Sequence, residues 1–124
     1  MKVYGIPNCN TVKKAIDWLK GTEHEFEFHD YKKKGITPEK LKQWTKEVGW
    51  EKLVNKKGTT WRSLSEDQQE KITNEEAAIE LMIEKPSVIK RPVIEDGKKL
   101  LVGFDEEDYA KRLRKKSTEA KRSK

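Results

Sequence analysis

Tyr4-Gly5-Ile6-Pro7-Asn8-Cys9-Asn10-Thr11-Val12-Lys13-Lys14-Ala15 is the stretch from which the fold is read. Strand formers Val3 and Tyr4 mark a first strand over Lys2 to Ile6. Gly5 to Asn10 is turn-rich. From Thr11 the apolar positions Val12, Ala15, Ile16 and Leu19 recur at helical spacing. Thr11 is expected to cap this helix, which runs to about Lys20, and Gly21 to close it. The only cysteine in 124 residues thus falls at a strand-to-helix junction. Unpaired backbone N–H groups and the positive end of the helix dipole favour an anion there. A thiol so placed tends toward thiolate, so Cys9 reads as a nucleophile. The alternative is a buried structural cysteine acting as a small hydrophobe.

Working outward, Glu25-Phe26-Glu27-Phe28-His29 alternates strictly and reads as a second strand with both phenylalanines inward. Strand, helix and strand form a βαβ unit, expected to be parallel and right-handed. Residues 30–35 read as a lysine-rich loop. Thr37 and Pro38 then open a helix with Leu41, Trp44, Thr45 and Val48 on one face, and Gly49 closes it. Trp50 to Val54 reads as one more turn, and Asn55 to Arg62 as irregular chain. Helical pattern returns at Ser65–Lys71 and at Asn74–Glu84, with Ala77, Ala78, Leu81 and Met82 as a stripe. Beyond Pro86, Val88-Ile89-Lys90 and Val93-Ile94-Glu95 flank Arg91-Pro92. Asp96-Gly97 signals a hairpin turn into Leu100-Leu101-Val102. A last helix follows the acids at 105–107 and carries Tyr109 and Leu113 inward. The order βα, β, helical block, ββα predicts an α/β chain with a thioredoxin-like fold. Its mixed four-stranded sheet would carry a helical insertion between strands 2 and 3. A single domain over residues 1–113 is expected, with the insertion at about 37–86 and a disordered basic tail at 114–124.

Composition narrows the function classes. Hydrophobic residues are 33% and charged residues 40%, which fits a modest core under a solvated surface. The absence of any apolar run of membrane length and of a signal-type N-terminus points to cytoplasmic residence without a membrane partner. One cysteine excludes an internal disulfide framework. The net charge of +6 suggests nucleic acid, but residues 112–124 carry seven Lys or Arg against Glu119, which leaves 1–111 neutral. Nucleic acid is therefore not expected to be the main partner. His24 and His29 have no ligand partner at metal spacing, and no metal is expected.

A thioredoxin-like site would place an X-Pro bond before the third strand, and Arg91-Pro92 sits there; its cis form would bring that backbone against the thiol. Four segments together resemble the arsenate-reductase-like (ArsC/Spx) family, nearest its YffB-type members. They are Ile6 to Ala15, Gly58-Thr59-Thr60-Trp61-Arg62, Ile89-Lys90-Arg91-Pro92-Val93 and Val102-Gly103-Phe104. The resemblance implies one reactive cysteine and turnover with glutathione or a glutaredoxin- or thioredoxin-type reductant. Cys9 matches the family nucleophile and Arg91 an arginine that binds the oxyanion in the arsenate reductases. Asn55 and Gly103 stand where the other two oxyanion arginines would be, and lysine replaces a guanidinium fork poorly. Val12 replaces the second cysteine of the Spx-type disulfide switch, so the YffB-type pattern fits best.

A single thiol needs an external one to resolve its adduct. The expected function is a monothiol, glutathione-dependent oxidoreductase with Cys9 as nucleophile. Arg91, Pro92, Asn10, Thr11, Asn55, Lys57 and Arg62 are its expected substrate- and glutathione-binding residues. No bound cofactor is expected; glutathione is the co-substrate. Lys13 and Lys14 add field to the site or simply line a solvated face. The alternative function is an Spx-like regulator that binds the RNA polymerase α subunit without turnover.

Overall fold

The computed structural model describes residues 1–97 and 99–113, so the basic tail lies outside the described residues. Two compact units emerge. One joins Met1–His29 to the chain from Arg91 onward, and the other is Asp30–Lys90.

The first unit is built on β1 (Lys2–Gly5), α1 (Asn10–Gly21) and β2 (Glu27–Asp30). The sheet order is β2-β1-β3-β4, with β3 at Val93–Asp96 and β4 at Lys99–Val102. β1 pairs antiparallel with β3, Val3 facing Ile94, and β3 antiparallel with β4, Ile94 facing Leu101. The sheet is mixed, as expected. β1 is internal and buries side chains on both faces, which is why Val3 and Tyr4 are both covered despite pointing opposite ways. Val3, Ile94 and Leu101 form the core with Ala15 and Leu19 from α1 and with Tyr109 and Leu113 at the chain's last described helix. Phe26 and Phe28 pack against that cluster while partly buried, so their inward direction holds, although β2 starts two residues later than the alternation suggests.

Two details of α1 differ from the sequence reading. Cys9, not Thr11, is the residue at which the helix begins, with extended φ −142° and ψ 125°. Gly21 is the final helical residue rather than the cap. Thr22 closes the end, its N–H and its hydroxyl both donating to the Trp18 carbonyl at 3.0 and 2.8 Å. The last helix spans Glu106–Arg112, and the Asp105 carboxylate accepts from the Glu107 and Asp108 N–H groups at its start.

The second unit is helical. α2 (Tyr31–Lys34) replaces the expected loop, because the Asp30 carboxylate caps it at Lys32 and Tyr31 is fully buried. α3 (Pro38–Val48) begins at Thr37 and Pro38 as read, and Gly49 ends it at φ +86°. α4 (Trp50–Leu53), α6 (Glu66–Glu70) and α7 (Glu75–Glu84) also fall where the pattern put them. α5 (Thr59–Arg62) is one helical turn inside the segment that lacks periodicity, held by buried Trp61. α3 packs on α4 and α7, and a 3₁₀ turn at Pro86–Val88 contacts α2, α5 and α7. The helix of the first unit at Glu106–Arg112 is α8.

Candidate active site

The site grows from the start of α1. Gly5 is buried at the end of β1, where an added Cβ would lie 3.0 Å from the Val12 side chain, so strand and helix approach closely here and a larger residue would push Val12 aside. Ile6-Pro7-Asn8 then turns the chain, and the Cys9 carbonyl accepts the first helical bond from Lys13 N–H at 3.0 Å. Cys9 thereby stands at the N-cap of a twelve-residue helix whose first turn contains no acid. Its side chain makes no full capping hydrogen bond in the manner of serine or aspartate. The Val12 and Thr11 amides nevertheless act on the half-buried sulfur.

The opposing wall is the Arg91-Pro92 segment. The Arg91-Pro92 peptide is cis, the form looked for in the sequence. Pro92 is buried, and its carbonyl accepts from Gly103 N–H at 2.8 Å, which ties this segment to the end of β4. The Arg91 side chain acts on the Cys9 sulfur from this wall. Burial pushes the Cys9 thiol up. The Val12 N–H, the Arg91 hydrogen bond, the Thr11 N–H and the Arg91 charge pull it down, and together they hold it below the ordinary thiol value. Lys13 and Lys14 are exposed, and the cation that acts on the sulfur is Arg91.

The structure therefore brings Cys9, Arg91 and Pro92 together in the first unit. Asn10 and Thr11 are exposed beside them on the first turn of α1. Asn55, Lys57 and Arg62 belong to the second unit. There the Asn55 side-chain carbonyl accepts from Lys57 N–H at 3.2 Å, and its backbone N–H donates to Val88 at 2.8 Å. Lys57 and Arg62 are exposed, Arg62 closing α5. Beside Lys57, Lys56 lies over the rings of Trp50 and Trp61, 5.9 and 5.5 Å from their centroids, a cation–π contact that sequence reasoning missed. Gly103 adopts φ +81°, a left-handed conformation in which an arginine side chain would be strained.

The histidines are occupied elsewhere. His24 shares a 2.7 Å hydrogen bond with the Thr22 hydroxyl and stacks on Trp18, while the His29 ring meets Tyr4. Among the described residues, no three His, Cys, Asp or Glu side chains gather to hold a metal ion, and no helix is long and apolar enough to cross a membrane.

Comparison with known proteins agrees with the geometry. The solved structure of a YffB protein superposes with a TM-score of 0.86 at 47% identity, covering 90% of this chain and 97% of that one. A Haemophilus influenzae protein described only as uncharacterized is 43% identical over 107 residues, 86% of this chain and 93% of its own length. The regulatory protein MgsR of Bacillus subtilis is 32% identical over 117 residues, 92% of this chain and 90% of its own. The ArsC family profile matches residues 4–112, a span that includes the cysteine, the Arg91-Pro92 segment and both units, and the chain belongs to the ArsC family.

Proposed function

We propose that this protein is a monothiol oxidoreductase that uses glutathione, with Cys9 as its nucleophile. The observation that carries the reading is the convergence of Arg91 and two backbone amides on the sulfur of the chain's one cysteine. The Cys9 thiolate attacks one sulfur of a disulfide substrate. A new S–S bond forms, the old one breaks, and the departing sulfur leaves as a thiolate that takes a proton from water. Glutathione thiolate then attacks the mixed disulfide and returns Cys9 to its thiolate form, carrying the retained half away as a glutathione disulfide. Asn10, Thr11, Arg91 and Pro92 border the reacting sulfur in this reading.

Arsenate is a poor substrate in this scheme. Of three oxyanion arginines that the resemblance calls for, only Arg91 is present, and one guanidinium cannot neutralise a multiply charged oxyanion. Cys9→Ser is expected to abolish glutathione-dependent disulfide reduction and the mass increase of one glutathione after exposure to its oxidised form. Retention of either by the variant would falsify the assignment.

A second reading is favoured by the similarity to a regulatory protein along 92% of the chain. In it the protein binds the RNA polymerase α subunit and does no turnover. Capture of α subunit that persists in Cys9→Ser, with no reductase activity in the wild type, would select it.

A further inference from the structure

A buried chain of contacts leads from α8 to the Cys9 site, and neither the proposed chemistry nor the family resemblance uses it. Tyr109 on α8 is 1% exposed, and its hydroxyl donates to the Gly103 carbonyl at 2.6 Å. The same Gly103 donates its N–H to the Pro92 carbonyl at 2.8 Å. Pro92 follows Arg91, the cation whose side chain acts on Cys9. The Tyr109 ring is fixed on two sides, edge-on to Trp18 at 5.4 Å and to Phe104 at 5.0 Å. Its hydroxyl therefore cannot swing away without disturbing the core. Burial, then the Asp108 charge, pushes the phenol well above its ordinary value, so it remains a donor throughout the working range.

The middle link explains why such a brace is needed. Gly103 sits at φ +81°, and without a Cβ its backbone has more conformations open to it than any other residue, so holding its polar groups fixes it. Here both are held, one from α8 and one from Pro92. The N–H lies in the 102–103 peptide and the carbonyl in the 103–104 peptide, so the two bonds hold both planes that flank the Gly103 Cα. We infer that Tyr109 is a positioning residue for the thiol site. Its hydroxyl fixes the Gly103 carbonyl and so the backbone at Gly103, the Gly103 N–H holds the Pro92 carbonyl, and Arg91 is thereby kept beside the Cys9 sulfur. The inference rests on Cys9 being the nucleophile and names a residue that acts on it without touching it.

The test is the pH dependence of Cys9 alkylation by iodoacetamide in the full-length protein, which reads the thiolate directly and needs no turnover. Tyr109→Phe removes one oxygen and keeps both ring contacts. Its alkylation midpoint is expected to rise, with a rate about threefold lower on the acid side of the midpoint. Gly103→Ala, which disturbs the middle link from the backbone, is expected to act in the same direction. Trp18→Phe loosens packing around Tyr109 but leaves its hydroxyl, and should keep the wild-type midpoint. In an Arg91→Ala background, Tyr109→Phe should have no further effect. An unmoved midpoint in folded Tyr109→Phe overturns the inference, as does an equal shift in Trp18→Phe or a full shift without Arg91. Failure of the underlying reading looks different: the wild-type thiol itself would titrate as an ordinary one.

Discussion

Helix N-caps are usually Ser, Thr, Asp or Asn, because a side-chain oxygen can accept from the N–H groups of the first turn. At α1 that position is held by Cys9, and a neutral thiol is a weak acceptor. The thiolate is a far better one, so the start of this helix and the Arg91 charge both favour the ionised form. This couples folding to pH. The folded thiol is more acidic than the unfolded one, so the native state binds fewer protons between the two values. The contribution of Cys9 to stability is complete above the ordinary thiol value near 8.5 and is lost as pH falls through the lower folded value. Urea unfolding midpoints of wild type and Cys9→Ala are therefore expected to diverge in favour of the wild type as pH is raised from about 6 to about 9. A difference that stays flat or shrinks with rising pH contradicts an ionised Cys9.

At the scale of elements, small differences in where a helix ends reverse the sign of a mutation. As a C-cap, Gly21 would resist substitution. As the last helical residue it is exposed, lacks positive φ, and an added Cβ would meet nothing within 4 Å. Gly21→Ala should therefore stabilise the protein, by about 0.5–1 kcal/mol, through the entropy the unfolded chain loses. A drop in the thermal midpoint would mean that the Thr22 cap is not the one that matters. Asp105→Ala has the opposite expectation. It removes the carboxylate that accepts from two N–H groups at the start of α8, a loss of about 1 kcal/mol, or a thermal midpoint about 4 °C lower. Because α8 carries Tyr109, the same variant should slow Cys9 alkylation on the acid side if α8 frays at its start. Legibility follows the same physics. α3, α6 and α7 could be read because each has a capping residue and several turns of apolar spacing, or a capping box as at Ser65 and Gln68. α2 and α5 could not: each is a single turn in polar sequence, whereas the single turn of α4 follows directly on α3 across Gly49. Cys9 and Arg91-Pro92 were visible because each sits at a strand junction. The Tyr109–Gly103–Pro92 chain was not, because hydrogen bonds across 17 residues of sequence leave no pattern of spacing.

Over the whole molecule, charge is distributed less evenly than the elements are. The order of the strands and the longer helices was legible, since βα, β and ββα each announce themselves by period and turn chemistry. Net charge alone misleads, because the excess of +6 belongs to residues 112–124 and the remaining 111 residues balance. Beyond the described residues, 114–124 hold six cations and one acid, so a chain ending at Leu113 would carry a net charge of only +1. Any affinity for a polyanion should then reside in that tail, where long-range attraction scales with the phosphates or sulfates neutralised. Cutting after Leu113 is expected to shift elution from heparin to much lower salt. It should also reduce the slope of log affinity against log salt for duplex DNA by up to about 5. Alkylation of Cys9 should not change, because Arg91 and the α1 amides act on the sulfur. Strong, salt-resistant DNA binding by the truncated chain would place a nucleic-acid surface on the folded units. A change in Cys9 reactivity on truncation would show that the tail belongs to the thiol chemistry after all.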